Sequence, residues 1–150
     1  MRAVVQRVKD ARVEVGGAVV GSIERGLLVY LGVAIGDSVD DAIALAEKAA
    51  TLRIFRDAEG KMNRSVVDEG GSVLVVSQFT LLADARKGRR PSYSDAAPPD
   101  VAEALYKVFI ARLESEWKLI VGSGRFQADM SVSYTNEGPV TILLDSKKAF

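Results

Sequence analysis

Gly26-Leu27-Leu28-Val29-Tyr30-Leu31-Gly32-Val33-Ala34-Ile35-Gly36 is the longest apolar run in the chain, and the residues after it change period. Its Leu27–Val33 portion, bounded by glycines, suits a strand buried on both faces. The run is too short to cross a bilayer, which takes ~20 apolar residues. Ser38 followed by Asp41 then resembles a capping box, and Ala42, Ile43, Ala46, Ala49 and Ala50 recur at helical spacing. A helix over Val39–Ile54 follows. A doubly buried strand beside an amphipathic helix points to an α/β fold of packed layers.

Working outward, Val4, Val5 and Val8, then Val13 and Val15, then Val19, Val20 and Ile23 read as strands, interrupted by turn-prone Gly16-Gly17 and Gly21. Downstream, Asp57-Ala58-Glu59-Gly60 turns the chain. Val73–Val76 is a strand, with Ser77-Gln78-Phe79-Thr80 at its carboxyl end. Leu81–Pro99 is polar, basic and punctuated by proline, the composition of a long functional loop. Asp100 with Glu103 offers a second capping box. Val101, Leu105, Val108, Phe109, Leu113 and Trp117 form one stripe, which predicts a helix over Val101–Trp117 buried against a sheet. Leu119–Val121, Met130–Tyr134 and Val140–Leu144 close the chain as strands, with Asn136-Glu137-Gly138-Pro139 as a hairpin turn. Residues 1–150 read as one domain: layered β-sheet with two main helices packed on one side.

Composition removes whole classes of chemistry. The chain has no Cys and no His, which excludes thiolate metal sites, Cys nucleophiles, Ser-His-Asp triads and imidazole acid–base catalysis. Twenty basic residues balance twenty acidic ones, so RNA binding has to come from a local patch. Arg86-Lys87-Gly88-Arg89-Arg90-Pro91-Ser92-Tyr93 is the one basic cluster, able to hold phosphates beside an aromatic ring, although a solvated loop explains the same residues. Met1–Asp10 lacks a signal-peptide apolar core, and a cytoplasmic location is expected. No P-loop occurs. Gly122-Ser123-Gly124-Arg125-Phe126-Gln127 comes near a dinucleotide-binding turn but lacks its third glycine and its following helix. Asp40-Asp41 suits a helix start rather than a carboxylate pair. Ser77 and Thr80 carry hydroxyls at a strand end. An unactivated hydroxyl needs an adjacent base, and hydrogen bonding to local backbone is the simpler role.

Ser77-Gln78-Phe79-Thr80-Leu81 and Asn136-Glu137-Gly138-Pro139-Val140-Thr141, in this order and spacing, resemble the D-aminoacyl-tRNA deacylases, also called D-tyrosyl-tRNA deacylases. Met1–Val8, Asp57–Asn63, Gly71–Val76, Arg90-Pro91-Ser92 and Gly124-Arg125-Phe126 are similar to family segments in the same order. The likeness covers essentially the whole chain. It departs at Gln127, where the family usually has Gly or Ala.

The resemblance implies an ester hydrolase that releases D-amino acids from tRNA and acts on glycyl-tRNA as well; no cofactor and no metal site is assigned from the sequence. It implies a homodimer with each site at the subunit interface, where Ser77, Gln78, Phe79 and Thr80 of one chain meet a cis Gly138–Pro139 segment of the other. The two carbonyl oxygens of that segment would bind the α-ammonium and leave no room for an L side chain. Asn136, Phe126 and Met130 join it in substrate binding, and Arg86, Lys87, Arg89 and Arg90 are expected on the tRNA. The mechanism is read either with Thr80 as nucleophile or with the neighbouring 2′-hydroxyl of the terminal adenosine doing that work. The missing His favours the second. Thr80 is then a hydrogen-bonding wall, and Gln78 and Phe79 offer backbone N–H groups to the carbonyl. Two other classes compete: an amidohydrolase acting on free D-amino-acid derivatives, which needs no RNA, and a binding module that leaves the ester intact.

Overall fold

The computed structural model describes all residues, Met1–Phe150. The elements in order are β1 (Arg2–Val15), β2 (Ala18–Ile23), β3 (Gly26–Gly32), α1 (Val39–Thr51), β4 (Phe55–Arg56), β5 (Met62–Arg64), β6 (Ser72–Ser77), a 3-10 turn (Phe79–Leu82), α2 (Pro99–Ser115), β7 (Ile120–Ser123) and β8 (Ser131–Asp145). β1 organises the main sheet. Its first half pairs antiparallel with β3, its second half with β2, and β8 runs antiparallel along its other edge. β6 lies parallel to β3, and β7 parallel to β6. β4 and β5 form a separate small hairpin closed by the expected turn, where the Gly60 N–H donates to Asp57 O at 3.0 Å.

The apolar run does face two cores. From β3, Leu27, Val29 and Leu31 point to the large core shared with Ala42, Leu45 and Ala46 of α1 and Leu105, Phe109 and Leu113 of α2. Leu28 points the other way, into a smaller core with Val8, Val13, Ile23, Leu74 and Val76. That second core exists because the sheet curls until β2 meets β7. Gly21, expected at a turn, lies inside β2 instead, where a Cβ would collide with the Ser123 carbonyl oxygen. Its glycine is required by close approach of two strands, which no local pattern reveals.

The helices keep their expected places with shifted ends. The Ser38/Asp41 capping box is formed in both directions. α1 stops at Thr51 rather than Ile54. Ile54 and Phe55, the latter already in β4, are buried there, and the Ile54 carbonyl accepts from Arg7 Nη1 at 2.6 Å. The second capping box does not form. α2 begins at Pro99 behind Pro98 with no side-chain cap, because a proline at the first position has preset φ and no N–H to satisfy. Glu103 pairs with Lys107 at 3.2 Å instead. The stripe is buried at Leu105, Phe109 and Leu113, but Val101 is 42% exposed and Trp117 lies beyond the helix end.

The C-terminal strands also differ from expectation. The expected strands Met130–Tyr134 and Val140–Leu144 fall, apart from Met130, in one strand, β8, and Asn136–Pro139 is not a hairpin turn. In the β1 pairing, Val8 faces Asn136 and Gln6 faces Thr141. Glu137, Gly138, Pro139 and Val140 therefore stand against the single residue Arg7. The segment is an outsize bulge in a continuous strand. No helix is long and apolar enough to cross a membrane.

Candidate active site

A cleft of about 550 Å³ opens at the carboxyl end of β6, between the sheet and the start of α2. Ser77, Gln78 and Phe79 line it on one side, and Phe126, Gln127 and Met130 on the other. Strand β6 ends there because the Gln78 N–H makes a last bond to Leu31 O at 2.8 Å and the chain then tightens into the 3-10 turn. That bond corrects one expectation: the Gln78 N–H is already used inside the sheet. The Phe79 N–H stands at the start of the turn, where backbone donors have no intrahelical acceptor.

The chemistry of the lining is neutral. Tyr106 is the only ionisable side chain in the cleft. Burial pushes its pKa up to about 12, and its hydroxyl donates to Val75 O at 2.9 Å, so it is no base at neutral pH. Its ring packs against Phe126 at 5.8 Å, fixing that wall. Thr80 is half-buried beside the cleft but not on its lining. The Thr80 hydroxyl accepts from the Gln78 side-chain amide. An amide donor cannot take a proton, so this contact orients the hydroxyl without activating it.

Gln127 stands at φ +62, in the left-handed region that favours glycine. Phe79 is 58% exposed at the mouth of the cleft and meets Tyr93 of the basic loop edge-to-face at 5.2 Å.

The Gly138–Pro139 bulge is elsewhere. None of residues 136–141 lines the cleft, and Gly138 and Pro139 are exposed. Their peptide bond is cis. Gly138 has φ +130, and a Cβ on it would lie 2.9 Å from Val140 Cγ2 and 3.0 Å from Arg7 Nη2. Only glycine fits. Beneath the bulge lies buried Arg7, whose Nε donates to Glu137 O at 3.0 Å while Nη1 holds Ile54 O. The Glu137 carboxylate lies between Arg7 and Arg25, at 3.5 and 3.7 Å. Asn136 turns its side chain into β1, toward Gln6, and accepts the Val140 N–H at 2.9 Å. Sequence reasoning missed Gln6 and Arg7. Their signal was present: two polar residues inside a valine-rich strand, where a buried charge needs a fixed partner.

The basic residues form one loop but are not equivalent. Arg86 grips Asp84 with two side-chain bonds, at 2.9 and 2.7 Å, and its guanidinium holds the Asp84 carboxyl well below the usual carboxylate range. Asp84 and Ser92 exchange backbone bonds at 2.8 and 2.9 Å, closing the loop that carries Lys87, Arg89 and Arg90. These three are exposed cations.

The sequence pattern of the D-Tyr-tRNA(Tyr) deacylase family matches residues 4–145. A D-aminoacyl-tRNA deacylase of Anaeromyxobacter dehalogenans (strain 2CP-C) is 61% identical over 150 residues, all of both chains. Among solved structures, a c-Myc DNA unwinding element binding protein superposes with a TM-score of 0.92 at 39% identity, covering 97% of this chain and 98% of its own. A probable eukaryotic D-amino acid tRNA deacylase shares the fold, with a TM-score of 0.81 at 19% identity over 95% of this chain and 97% of its own. With the Ser77–Thr80 cleft and the Asn136–Thr141 bulge held in one sheet and the likeness running from end to end, the chain belongs to the D-Tyr-tRNA(Tyr) deacylase family.

Proposed function

We propose that the protein hydrolyses the ester joining a D-amino acid to the 3′ end of tRNA, releasing the free amino acid and the tRNA. The observation that carries this reading is a cleft of amide, hydroxyl and apolar groups with no base in it. The aminoacyl ester is already activated by its α-ammonium and by the adjacent 2′-hydroxyl of the RNA. Such a substrate needs orientation and an electrostatic cradle more than a strong base. In this reading the Phe79 N–H faces the carbonyl oxygen, Gln78 forms a polar wall that Thr80 steadies from beside the cleft, and the 2′-hydroxyl carries the chemistry.

Selection uses the bulge of a second copy. Gly138 and Pro139 of one subunit enter the cleft of the other, where their carbonyl groups take the α-ammonium and the rigid backbone excludes an L side chain. Glycine, with no side chain, passes. Three features support a dimer of this kind: the bulge is exposed, it is absent from its own chain's cleft, and β8 pairs with β1 alone. Its free edge carries Leu143, 58% exposed. An unpaired strand of this length is a ready surface for another copy. Lys87, Arg89 and Arg90, beside Tyr93, are the residues for the acceptor end of the tRNA.

The test is incubation with matched D- and L-aminoacyl-tRNA and glycyl-tRNA, followed by counting the remaining ester. The D and glycyl esters should disappear and the L ester persist. Saturable binding with all esters intact would make the protein a binding module. Equal turnover of D-aminoacyl methyl esters would make it an amidohydrolase-type enzyme indifferent to RNA.

A further inference from the structure

Gln6 is a buried polar residue, 9% exposed, in a strand otherwise committed to the core. Its Oε1 accepts two hydrogen bonds, one from Asn136 Nδ2 and one from the Thr141 hydroxyl. Those two residues are the feet of the bulge, the last on each side to keep register with β1. Asn136 Nδ2 also reaches Thr141 Oγ1 at 3.3 Å, and Asn136 Oδ1 takes the Val140 N–H at 2.9 Å. One acceptor thus closes a ring of side chains across the neck of the bulge.

The ring matters because the backbone ladder cannot hold this segment. Residues 137–140 face only Arg7, so the regular strand-to-strand bonds are interrupted over the bulge. Arg7 restrains its near side through the Glu137 carbonyl. The width of the neck, the distance from Asn136 to Thr141, is set by the shared bond to Gln6. Without that acceptor, two donors lose their partner together and the feet can part.

We propose that Gln6 is a positioning residue for enantiomer selection: by tying Asn136 to Thr141 it fixes where Gly138 and Pro139 present their backbone. The proposal rests on the reading above that this bulge is the chiral filter. Gln6 touches no substrate in it, and acts wholly through the two feet.

Three variants test it. Gln6→Met keeps the length and removes the acceptor, Gln6→Glu keeps an acceptor oxygen in the same place, and Thr141→Val removes one donor from an exposed position. Each is assayed for kcat/KM on D- and L-aminoacyl-tRNA and for amide hydrogen exchange of the 136–141 segment. Gln6→Met should narrow the ratio of D to L turnover by roughly tenfold or more, since two hydrogen bonds to one acceptor are lost together, and speed exchange at Val140. Gln6→Glu should restore both. Thr141→Val should shift both in the same direction by less, and should add little to Gln6→Met. A wild-type ratio with wild-type exchange in Gln6→Met overturns the proposal, as does a uniform loss on both enantiomers that Gln6→Glu fails to rescue. If Gln6→Met does not fold, an unchanged ratio in Thr141→Val overturns it alone. A wild-type enzyme that cuts both enantiomers equally removes the filter itself, and the clamp falls with it; a discriminating wild type with an indifferent Gln6→Met removes only the clamp.

Discussion

The cleft at Ser77–Thr80 and the bulge at Glu137–Val140 are opposites in construction. The cleft is concave and lined by neutral groups, and its only ionisable side chain is kept protonated by burial. The bulge is convex and exposed, yet it stands on a buried guanidinium and a buried amide. The cleft's polar atoms are held by local bonds such as Gln78 to Thr80, two residues apart. The bulge is held by bonds spanning 130 residues of sequence, from Gln6 and Arg7. Under the proposed function, the contrast places few demands on the protein for the chemistry and many for the geometry of selection. On that reading a base-free pocket serves an activated ester, while a filter made of backbone needs a rigid foundation.

The strongest way to break that comparison is to remove the chemistry from the substrate. A D-aminoacyl-tRNA ending in 2′-deoxyadenosine, ester-linked through its 3′-oxygen, should be hydrolysed slower by on the order of a thousandfold, the scale of losing a reacting group. Single-turnover ester counting reads it. Normal turnover of this substrate together with a dead Thr80→Val enzyme would return the chemistry to the cleft.

The next effect falls on the bulge. Gly138→Ala places a Cβ against Val140 and Arg7 at a φ that side chains rarely adopt. The cost of ~1–3 kcal/mol in local strain should shift the bulge and lower kcat/KM on D-aminoacyl-tRNA roughly 10- to 100-fold. Far-ultraviolet circular dichroism should show the fold retained. Unchanged kinetics would mean that the bulge does not select.

Thr80→Val is smaller still. If Thr80 only steadies the Gln78 side chain, the variant loses about one hydrogen bond, ~0.5–1.5 kcal/mol, or roughly a tenfold drop in kcat. A collapse of several thousandfold would identify a nucleophile instead.

Outside both regions, the basic loop sharpens the picture through salt. Replacing Lys87, Arg89 and Arg90 together by Ala should weaken tRNA binding and lower the slope of log K against log salt by ~1 unit for each phosphate no longer neutralised. Arg86→Ala alone should change the slope less, since Asp84 already occupies that guanidinium. An unchanged slope in the triple variant would leave the loop as solvated surface.

The smallest effect is structural. Gln127→Gly relieves a left-handed side chain at the cleft rim, and should raise stability by ~0.5–1 kcal/mol in chemical denaturation. A loss of stability there would show that the packing of the Gln127 side chain outweighs its backbone strain.

Much of this was written locally in the chain. The doubly buried strand at Leu27–Leu31, the capping box at Ser38 and Asp41, and the turn at Asp57–Gly60 are short-range patterns, and they appear where residue type and spacing put them. The absence of His and Cys settled in advance which catalysts the cleft could not hold. Tertiary structure decided the rest. It ended α1 at Thr51, with the Ile54 carbonyl beyond it taken by Arg7, and it put Gly21 inside a strand, because β7 passes over it. It also made a bulge of Glu137–Val140 where a turn over Asn136–Pro139 was expected, because β1 runs on beneath it. Local propensity reports a few residues at a time, while pairing between strands more than a hundred residues apart is settled only when the sheet closes. A Gly-Pro pair in an Asn-Glu-Gly-Pro stretch looks like a turn until the partner strand is seen to continue past it.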